Sequence, residues 1–175
     1  GDYSKAVELG TQALEIQKKV LGESHPDYAT SLDNLALYYS YLGDYSKSVE
    51  LDAQAMIIRK QVLGESHPDY AFSLGNLATY NYLSGNFGDA YQLFLISAQH
   101  TKELVMSQFK SLTNRMRQLF WNENKFKFIL LPSICLKAGD MDSSGEVYDN
   151  SALFTKGLLL NAETSLRDLI LESGD

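Results

Sequence analysis

Two histidines in the sequence are each flanked by carboxylates, a pattern that invites comparison with a metal site. They are His25, between Glu23 and Asp27, and His67, between Glu65 and Asp69. One imidazole and two acids make an incomplete ligand set for a structural zinc, which takes four ligands. The two histidines occupy equivalent places 42 residues apart, one step of a repeat, so we do not expect them to share an ion. We predict no metal and no cofactor.

The single cysteine, Cys135, is the only candidate thiol nucleophile, with His100 as a candidate base. Reactive cysteines need a base within reach and surroundings that stabilise the thiolate. Cys135 instead lies in an apolar helical stretch, where a buried free thiol is the usual case. Asp140 and Asp142 lack the spacing and the distal glutamate of a calcium-binding EF-hand. The sequence therefore predicts no catalytic residue, and we expect this chain not to be an enzyme.

A nine-residue stretch, LGESHPDYA, occurs at Leu21–Ala29 and again at Leu63–Ala71. The similarity is longer than this, because residues 1–42 match residues 43–84 at about 28 of 42 positions. A period of this length is typical of solenoids, in which each repeat provides the hydrophobic core for the next. The stretch has a glycine suited to a helix end and a proline suited to a helix start. It is therefore predicted to form the same helix–turn–helix corner twice.

Apolar residues recur every three or four positions on both sides of each corner, which predicts helices over 27–41, 45–63, 69–83 and 87–105. Asn34-Leu35-Ala36, Tyr39, Gly43, Tyr45 and Ala55 have the spacing of the tetratricopeptide repeat (TPR) signature, and Asn76-Leu77-Ala78, Gly85, Phe87 and Ala90 repeat it. The sequence resembles the long, 42-residue TPR variant of kinesin light chains. The resemblance implies an all-α superhelical solenoid with additional C-terminal helices. Its array would span residues 1–105, as a half repeat (1–26) and two repeats (27–68 and 69–105).

Residues 106–175 are predicted to form degenerate TPR-like helices and a helical connector. We expect a helical pair over 107–138, broken near Asn122–Asn124 and kinked or interrupted at Pro132, and a last helix over about 147–173. The stretches LTNRMRQLFWNENKFKF and NSALFTKGLLLNAETSLRDLILESGD resemble the connector of bacterial CHAT proteins, in which TPR arrays precede a caspase-like domain. This resemblance implies a protease-like domain after Asp175.

The resemblance also implies a peptide-binding concave face, lined by the first helix of each repeat. The residues expected there are Thr30, Asp33, Asn34, Leu37, Tyr41, Phe72, Asn76, Thr79 and Leu83. Asn34 and Asn76 match a family position whose amide holds a ligand backbone; equally, these amides could bond a neighbouring helix. Lysine and arginine are missing from this face, which argues against binding of a C-terminal carboxylate. With a net charge of −7, the ligand is expected to be a neutral or basic protein or peptide.

The composition excludes some partners and leaves one alternative function open. The sequence has no basic stripe and no apolar run of about 20 residues, so we expect neither nucleic-acid nor membrane partners. The single cysteine cannot form an internal disulfide and suits a reducing compartment, and we expect a cytoplasmic location. Residues 1–21 correspond to the second helix of a repeat, so we expect the chain to be a fragment with Val7, Leu14 and Val20 exposed. Self-association through that stripe is the basis of the alternative, a structural scaffold or self-assembly module without a peptide ligand.

Overall fold

The computed structural model describes residues 2–108 and 113–139, and the described residues contain helices but no strand. The helices are α1 (Tyr3–Val20), α2 (Pro26–Tyr41), α3 (Tyr45–Leu63), α4 (Pro68–Leu83), α5 (Phe87–Gln108) and α6 (Asn114–Lys137). The predicted all-α solenoid is confirmed, and the four helices predicted in the repeats lie within three residues of their predicted ends. The connector stretch after residue 139 lies outside the described residues.

The repeated corner forms as its sequence predicts, with one addition. Gly22 and Gly64 have φ of 84° and 83°, a region that favours glycine because it has no Cβ. Each following helix starts at proline. The histidine before each proline is the N-cap residue, since its Nδ1 accepts a hydrogen bond from a first-turn backbone N–H, 3.1 Å away for His25 and 3.2 Å for His67. The histidines are thus explained by capping.

Ion pairs and a second cap recur with the same period. Lys18 pairs with Glu23 across the first corner, and Lys60 pairs with Glu65 at 2.6 Å across the second. These side chains are about half exposed, so each pair contributes little stability. Asp2 and Asp44 cap α1 and α3 by accepting a backbone N–H hydrogen bond at 3.0 Å. Repeated sequence therefore corresponds to repeated local hydrogen bonding.

The hydrophobic core forms where consecutive helices pack together, α1 on α2, α2 on α3 and α3 on α4. Its buried members include Leu32, Leu35, Leu51 and Tyr80. Small side chains allow close helix approach: the buried Ser48 hydroxyl on α3 donates a 2.8 Å hydrogen bond to a backbone carbonyl of α2. Burying apolar side chains at about 25 cal/mol per Å² is the main stabilising contribution.

The prediction that Val7 and Leu14 are exposed on α1 is wrong. Both side chains pack against the core cluster that α2 contributes to. The face of α1 turned away from that core carries Leu9, Ile16 and Val20, which are 53%, 62% and 74% exposed. Because α1 has apolar residues on two faces, periodicity alone did not determine which of them α2 covers.

The chain divides into two compact units, Gly1–Glu103 and Leu104–Asp175. In the second unit, α6 is one continuous helix, so the predicted helical pair and the predicted break at Asn122–Asn124 are wrong. Pro132 lies inside α6 and does not interrupt it. A proline removes one helical hydrogen bond, and the ordinary helix formers on either side maintain the helix. Leu131, Ile134 and Cys135 are buried in this unit.

Candidate functional site

The residues predicted for the ligand face lie on two helices of the first unit. We call them the groove face: Thr30, Asp33, Asn34, Leu37 and Tyr41 on α2, and Phe72, Asn76, Thr79 and Leu83 on α4. The four large apolar or aromatic members are 38% to 56% exposed. Thr30 and Asn34 are also exposed, whereas Asn76 and Thr79 are half-buried. Most of the groove face is therefore accessible to a ligand.

Neighbouring side chains and backbone groups hold several of these residues in place. The Tyr41 ring stacks on Tyr3 of α1, with ring centroids 4.4 Å apart. The Thr79 hydroxyl donates to the backbone carbonyl of Gly75 at 2.8 Å, and the Thr30 hydroxyl donates to Pro26 at 3.2 Å. These bonds lie within each helix, as is usual for threonine in a helix.

Asp33 differs from the rest of the groove face because it is buried, with 8% of its surface exposed. Its Oδ2 lies 2.6 Å from Nη1 of Arg59 on α3, whose side chain is only 6% exposed. Arg59 also donates hydrogen bonds to Ser73 on α4 at 2.5 Å and to Thr30 at 3.4 Å. One guanidinium thus links three helices, since its planar fork presents donors in several directions.

A second carboxyl, Asp52 on α3, is fully buried beside Asp33. Burial, followed by the nearby Asp33 charge, raises the pKa of Asp52 to about 9, against the opposing effects of the Arg59 charge and then of the Asn76 amide. No donor has hydrogen-bond geometry to either Asp52 oxygen or to Oδ1 of Asp33. A proton on Asp52 resolves this deficit, because a protonated carboxyl donates to its ionised neighbour. Asp52 is therefore neutral near pH 7 and shares its proton with Asp33.

We call Asp33, Asp52 and Arg59, with Ser73 and Asn76 beside them, the acid–arginine cluster. Burial raises the pKa of Asp33 as well, opposed chiefly by the Arg59 charge. Burial likewise raises the pKa of Tyr80 on α4, and the Asp52 charge adds to that rise. With one ionised carboxylate, one neutral carboxyl and one guanidinium, the cluster has no net charge near pH 7.

The cluster occurs at a single step of the repeat. One period away from Asp52 the sequence has Gly10 in α1 and Phe94 in α5. A Cβ added to Gly10 would lie 3.3 Å from a Leu35 methyl group, so α2 closes over that position directly. Phe94 is 1% exposed and occupies its position with a ring. The same position of the repeat is thus occupied by a glycine without a side chain in α1, a carboxyl in α3 and a phenyl ring in α5.

Asp33 was predicted for the ligand face from the sequence, whereas its partners Asp52 and Arg59 were not. Asp52 and Arg59 were available in the sequence as charged residues within the apolar pattern of α3, seven residues apart and hence on one face of the helix. Charges at positions that face a neighbouring helix are rarely buried unless they are paired. An acid and an arginine on the same core-facing side of α3 were therefore the sequence signal that could have identified the cluster.

The candidate nucleophile Cys135 and the candidate base His100 lie in different environments. Cys135 is fully buried, and the His100 ring packs edge-on against Tyr70 with centroids 5.7 Å apart. The described part of the chain contains no group of three or more His, Cys, Asp or Glu side chains arranged to hold a metal. No helix among residues 2–108 and 113–139 is long and apolar enough to cross a membrane.

Comparison with known proteins agrees with this architecture. Residues 1–60 and 34–95 match the tetratricopeptide repeat family. Among solved structures, BtubC (BKLC) from P. vanneervenii is similar with a TM-score of 0.74 and 20% identity, covering 90% of this chain and 58% of that one. No curated protein sequence matches the chain at a significant level.

Two further similar structures come from Podosopora anserina, both of a putative kinesin light chain with nearly identical TPR-like repeats. The Q17M form has a TM-score of 0.55 and 20% identity, covering 88% of this chain and 87% of that one. The other has a TM-score of 0.53 and 20% identity, covering 89% and 88%. At these identities the likeness shows the fold, whereas the family match covers more than half of the sequence. The chain belongs to the tetratricopeptide repeat family.

Proposed function

We propose that this chain is a non-catalytic protein–protein interaction module and that its groove face binds a polypeptide segment. TPR arrays generally mediate protein interactions. The observation that supports this role is the exposure of Leu37, Tyr41, Phe72 and Leu83, which are 38%, 56%, 55% and 44% exposed on α2 and α4. We propose that these four side chains form one surface, because an exposed apolar patch commonly marks an interaction site.

A peptide selection with matched variants tests this proposal. Phage displaying random dodecapeptides are selected on the chain, and the recovered peptides are measured by fluorescence anisotropy. Leu37→Ala/Phe72→Ala is expected to weaken binding by about tenfold or more, because each lost side chain removes roughly 1 kcal/mol or more of buried contact. Ile57→Ala/Ile96→Ala is the matched control, since these residues are 48% and 45% exposed but lie on α3 and α5. Equal binding by all three proteins, or no peptide recovered, would refute the proposal.

A second candidate function is a scaffold that self-associates without a peptide ligand. The face of α1 formed by Leu9, Ile16 and Val20 favours it, because these residues are more than half exposed. At the equivalent positions of α3, one period later, Leu51 is buried and Ile58 is partly buried against the core. Light scattering after size exclusion would show a concentration-dependent dimer that Ile16→Glu dissolves. A monomer throughout would exclude this function.

The C-terminal resemblance extends the first proposal to a larger protein. We propose that this array is cytoplasmic and is the recognition and regulatory region of a CHAT-type protease-like protein, in which ligand binding controls the domain that follows. The support is sequence resemblance in residues 106–175. Sequencing the parent gene is the direct test. A reading frame that continues past Asp175 into a caspase-like domain with its His and Cys supports it, and a frame that stops near Asp175 excludes it.

A further inference from the structure

The groove face exposes no charged side chain. Of its nine residues only Asp33 has an acid or base that is ionised near neutral pH. The Asp33 carboxylate is 8% exposed and lies 2.6 Å from the Arg59 guanidinium. The residues a ligand would meet are therefore hydroxyl, amide, aliphatic and aromatic groups. From the sequence, Asp33 was placed on the ligand face, and a neutral or basic ligand was expected from the net charge of −7.

Arg59 is responsible for this neutrality because it is buried and forms an ion pair with the Asp33 carboxylate. It donates to Ser73 on α4 at 2.5 Å while it pairs with Asp33 on α2, so the guanidinium is fixed from both sides. Asp52 adds no charge, because it keeps the proton that it shares with Asp33. The cluster is neutral, and its polar groups are directed at one another rather than outward.

Nearly all of the formal net charge of −7 is carried by other parts of the chain. Asp69 is the further carboxylate that acts on Asp33, and its effect is weaker than that of Arg59. Asp69 is exposed in the first turn of α4, where the helix dipole stabilises a negative charge. Glu23 and Glu65 are already paired with lysines at the corners. At physiological salt such exposed charges are screened within about 8 Å.

We propose that Arg59 determines the specificity of the groove, because its pairing with Asp33 makes the groove uncharged, and that the occupant is an uncharged, apolar segment of a partner polypeptide. This inference rests on the proposed function and names the class of ligand. The exposed Leu37 and Phe72 would contact the apolar side chains of that segment. The Asn34 amide, which is exposed, offers both a donor and an acceptor to its backbone.

Binding through such a groove has a distinctive salt dependence. Affinity from apolar contacts and neutral hydrogen bonds changes little with ionic strength, whereas affinity from charge pairs falls as salt screens them. The peptides recovered by dodecapeptide selection should therefore carry a net charge near zero. Their dissociation constants should change by less than about twofold between about 50 mM and about 500 mM NaCl.

A pair of variants isolates the charge of Asp33. Arg59→Gln/Asp52→Asn removes the cation and the shared proton and leaves two amides that can donate to Asp33. Because burial raises the pKa of Asp33 and Arg59 no longer opposes that rise, binding is compared at about pH 9, where the carboxyl is more fully ionised and lysine keeps its charge. Adding Asp33→Asn gives a triple variant that differs only in lacking this carboxylate. The double variant should bind peptides carrying an added lysine roughly tenfold more tightly than the triple variant, as expected for one charge pair at partial exposure. The triple variant should keep the charge preference of the wild type.

The possible results distinguish a wrong inference about groove charge from a wrong proposed function. Lysine-rich peptides selected by the wild type, with affinity that falls about tenfold or more over that salt range, would overturn the inference while leaving the proposed function intact. Equal lysine preference in the double and triple variants would also overturn it. Failure to recover any groove-dependent peptide would refute the proposed function itself. If the double variant does not fold by circular dichroism, the salt dependence and peptide charge of the wild type still decide.

Discussion

Asp52→Asn should stabilise the protein at neutral pH, although it alters a fully buried residue. Near pH 7 the Asp52 carboxyl is protonated in the folded state, so the uncharged amide of asparagine matches it in shape and charge. The amide also donates to the ionised Asp33 as the protonated carboxyl does. The unfolded chain, by contrast, has an ionised aspartate in the wild type and a neutral asparagine in the variant. The difference between the two proteins therefore lies mainly in the unfolded state.

The magnitude follows from the two pKa values. The pKa of Asp52 is about 9 in the folded protein against an ordinary value of 3.8, so the folded state binds one more proton between these values. Stability from this group is complete below pH 3.8, falls by about 1.4 kcal/mol per pH unit above it, and reaches its minimum near pH 9. At pH 7 the free energy of unfolding of the wild type is therefore about 4 kcal/mol lower than it would be with Asp52 protonated in both states. Since an amide donor is weaker than a shared carboxyl proton, the expected gain is about 2–4 kcal/mol.

Urea unfolding followed by far-ultraviolet circular dichroism, at four pH values from about 6 to about 9, measures this difference. The stability advantage of Asp52→Asn over the wild type should widen as pH rises, at about 1.4 kcal/mol per unit. Asp27→Asn is the control, because the Asp27 side chain is 72% exposed, and it should give a constant difference below about 1 kcal/mol. Parallel pH profiles for wild type and Asp52→Asn would refute the shared proton, as would a loss of stability at pH 7.

Three further substitutions test the cluster and the corners, each by urea unfolding at pH 7. Arg59→Met should cost about 3–5 kcal/mol, because it leaves the Asp33 charge buried without its partner; a cost below about 1 kcal/mol would mean that the ion pair is dispensable. Gly64→Ala should cost about 1–3 kcal/mol, since φ of 83° with ψ of 164° lies in a region that is essentially confined to glycine. Gly88→Ala, in helix α5 with open space around it, should gain about 0.5–1 kcal/mol; the same sign for both would contradict the role of positive φ. His67→Ala should cost about 1 kcal/mol by removing the N-cap acceptor of α4, and a neutral effect would show that water replaces it.

Sequence was sufficient for features that depend on neighbouring residues. The turns at Gly22 and Gly64 and the helix starts at Pro26 and Pro68 follow from the conformational limits of those residue types. The period of 42 residues then located each helix, because every repeat copies the same local pattern. These are short-range rules, and a second copy of the sequence served as an internal check on them.

Features that depend on packing between helices were not predictable in the same way. Arg59 and Asp33 are 26 residues apart, and their pairing requires knowing which faces of α2 and α3 meet. The same limit led to Val7 and Leu14 being predicted as exposed. Pro132 was predicted to kink or interrupt a helix from its local effect alone, and α6 continues through it without interruption. In each case packing or helix continuity outweighed a local preference.

The single occurrence of the acid–arginine cluster has a consequence for how the chain folds. Nearly identical repeats risk misfolding, because a helix can dock on the corresponding helix of another repeat with similar apolar contacts. If α1 docked on α4 in place of α3, Gly10 and Gln17 would stand where Asp52 and Arg59 belong. Asp33 would then lose its guanidinium partner, a large penalty for a buried carboxylate. The cluster thus distinguishes the packing of α3 against α2 and α4 from the other helix contacts, which the repeated apolar residues alone do not. Arrangements in which another helix takes the place of α3 are therefore disfavoured.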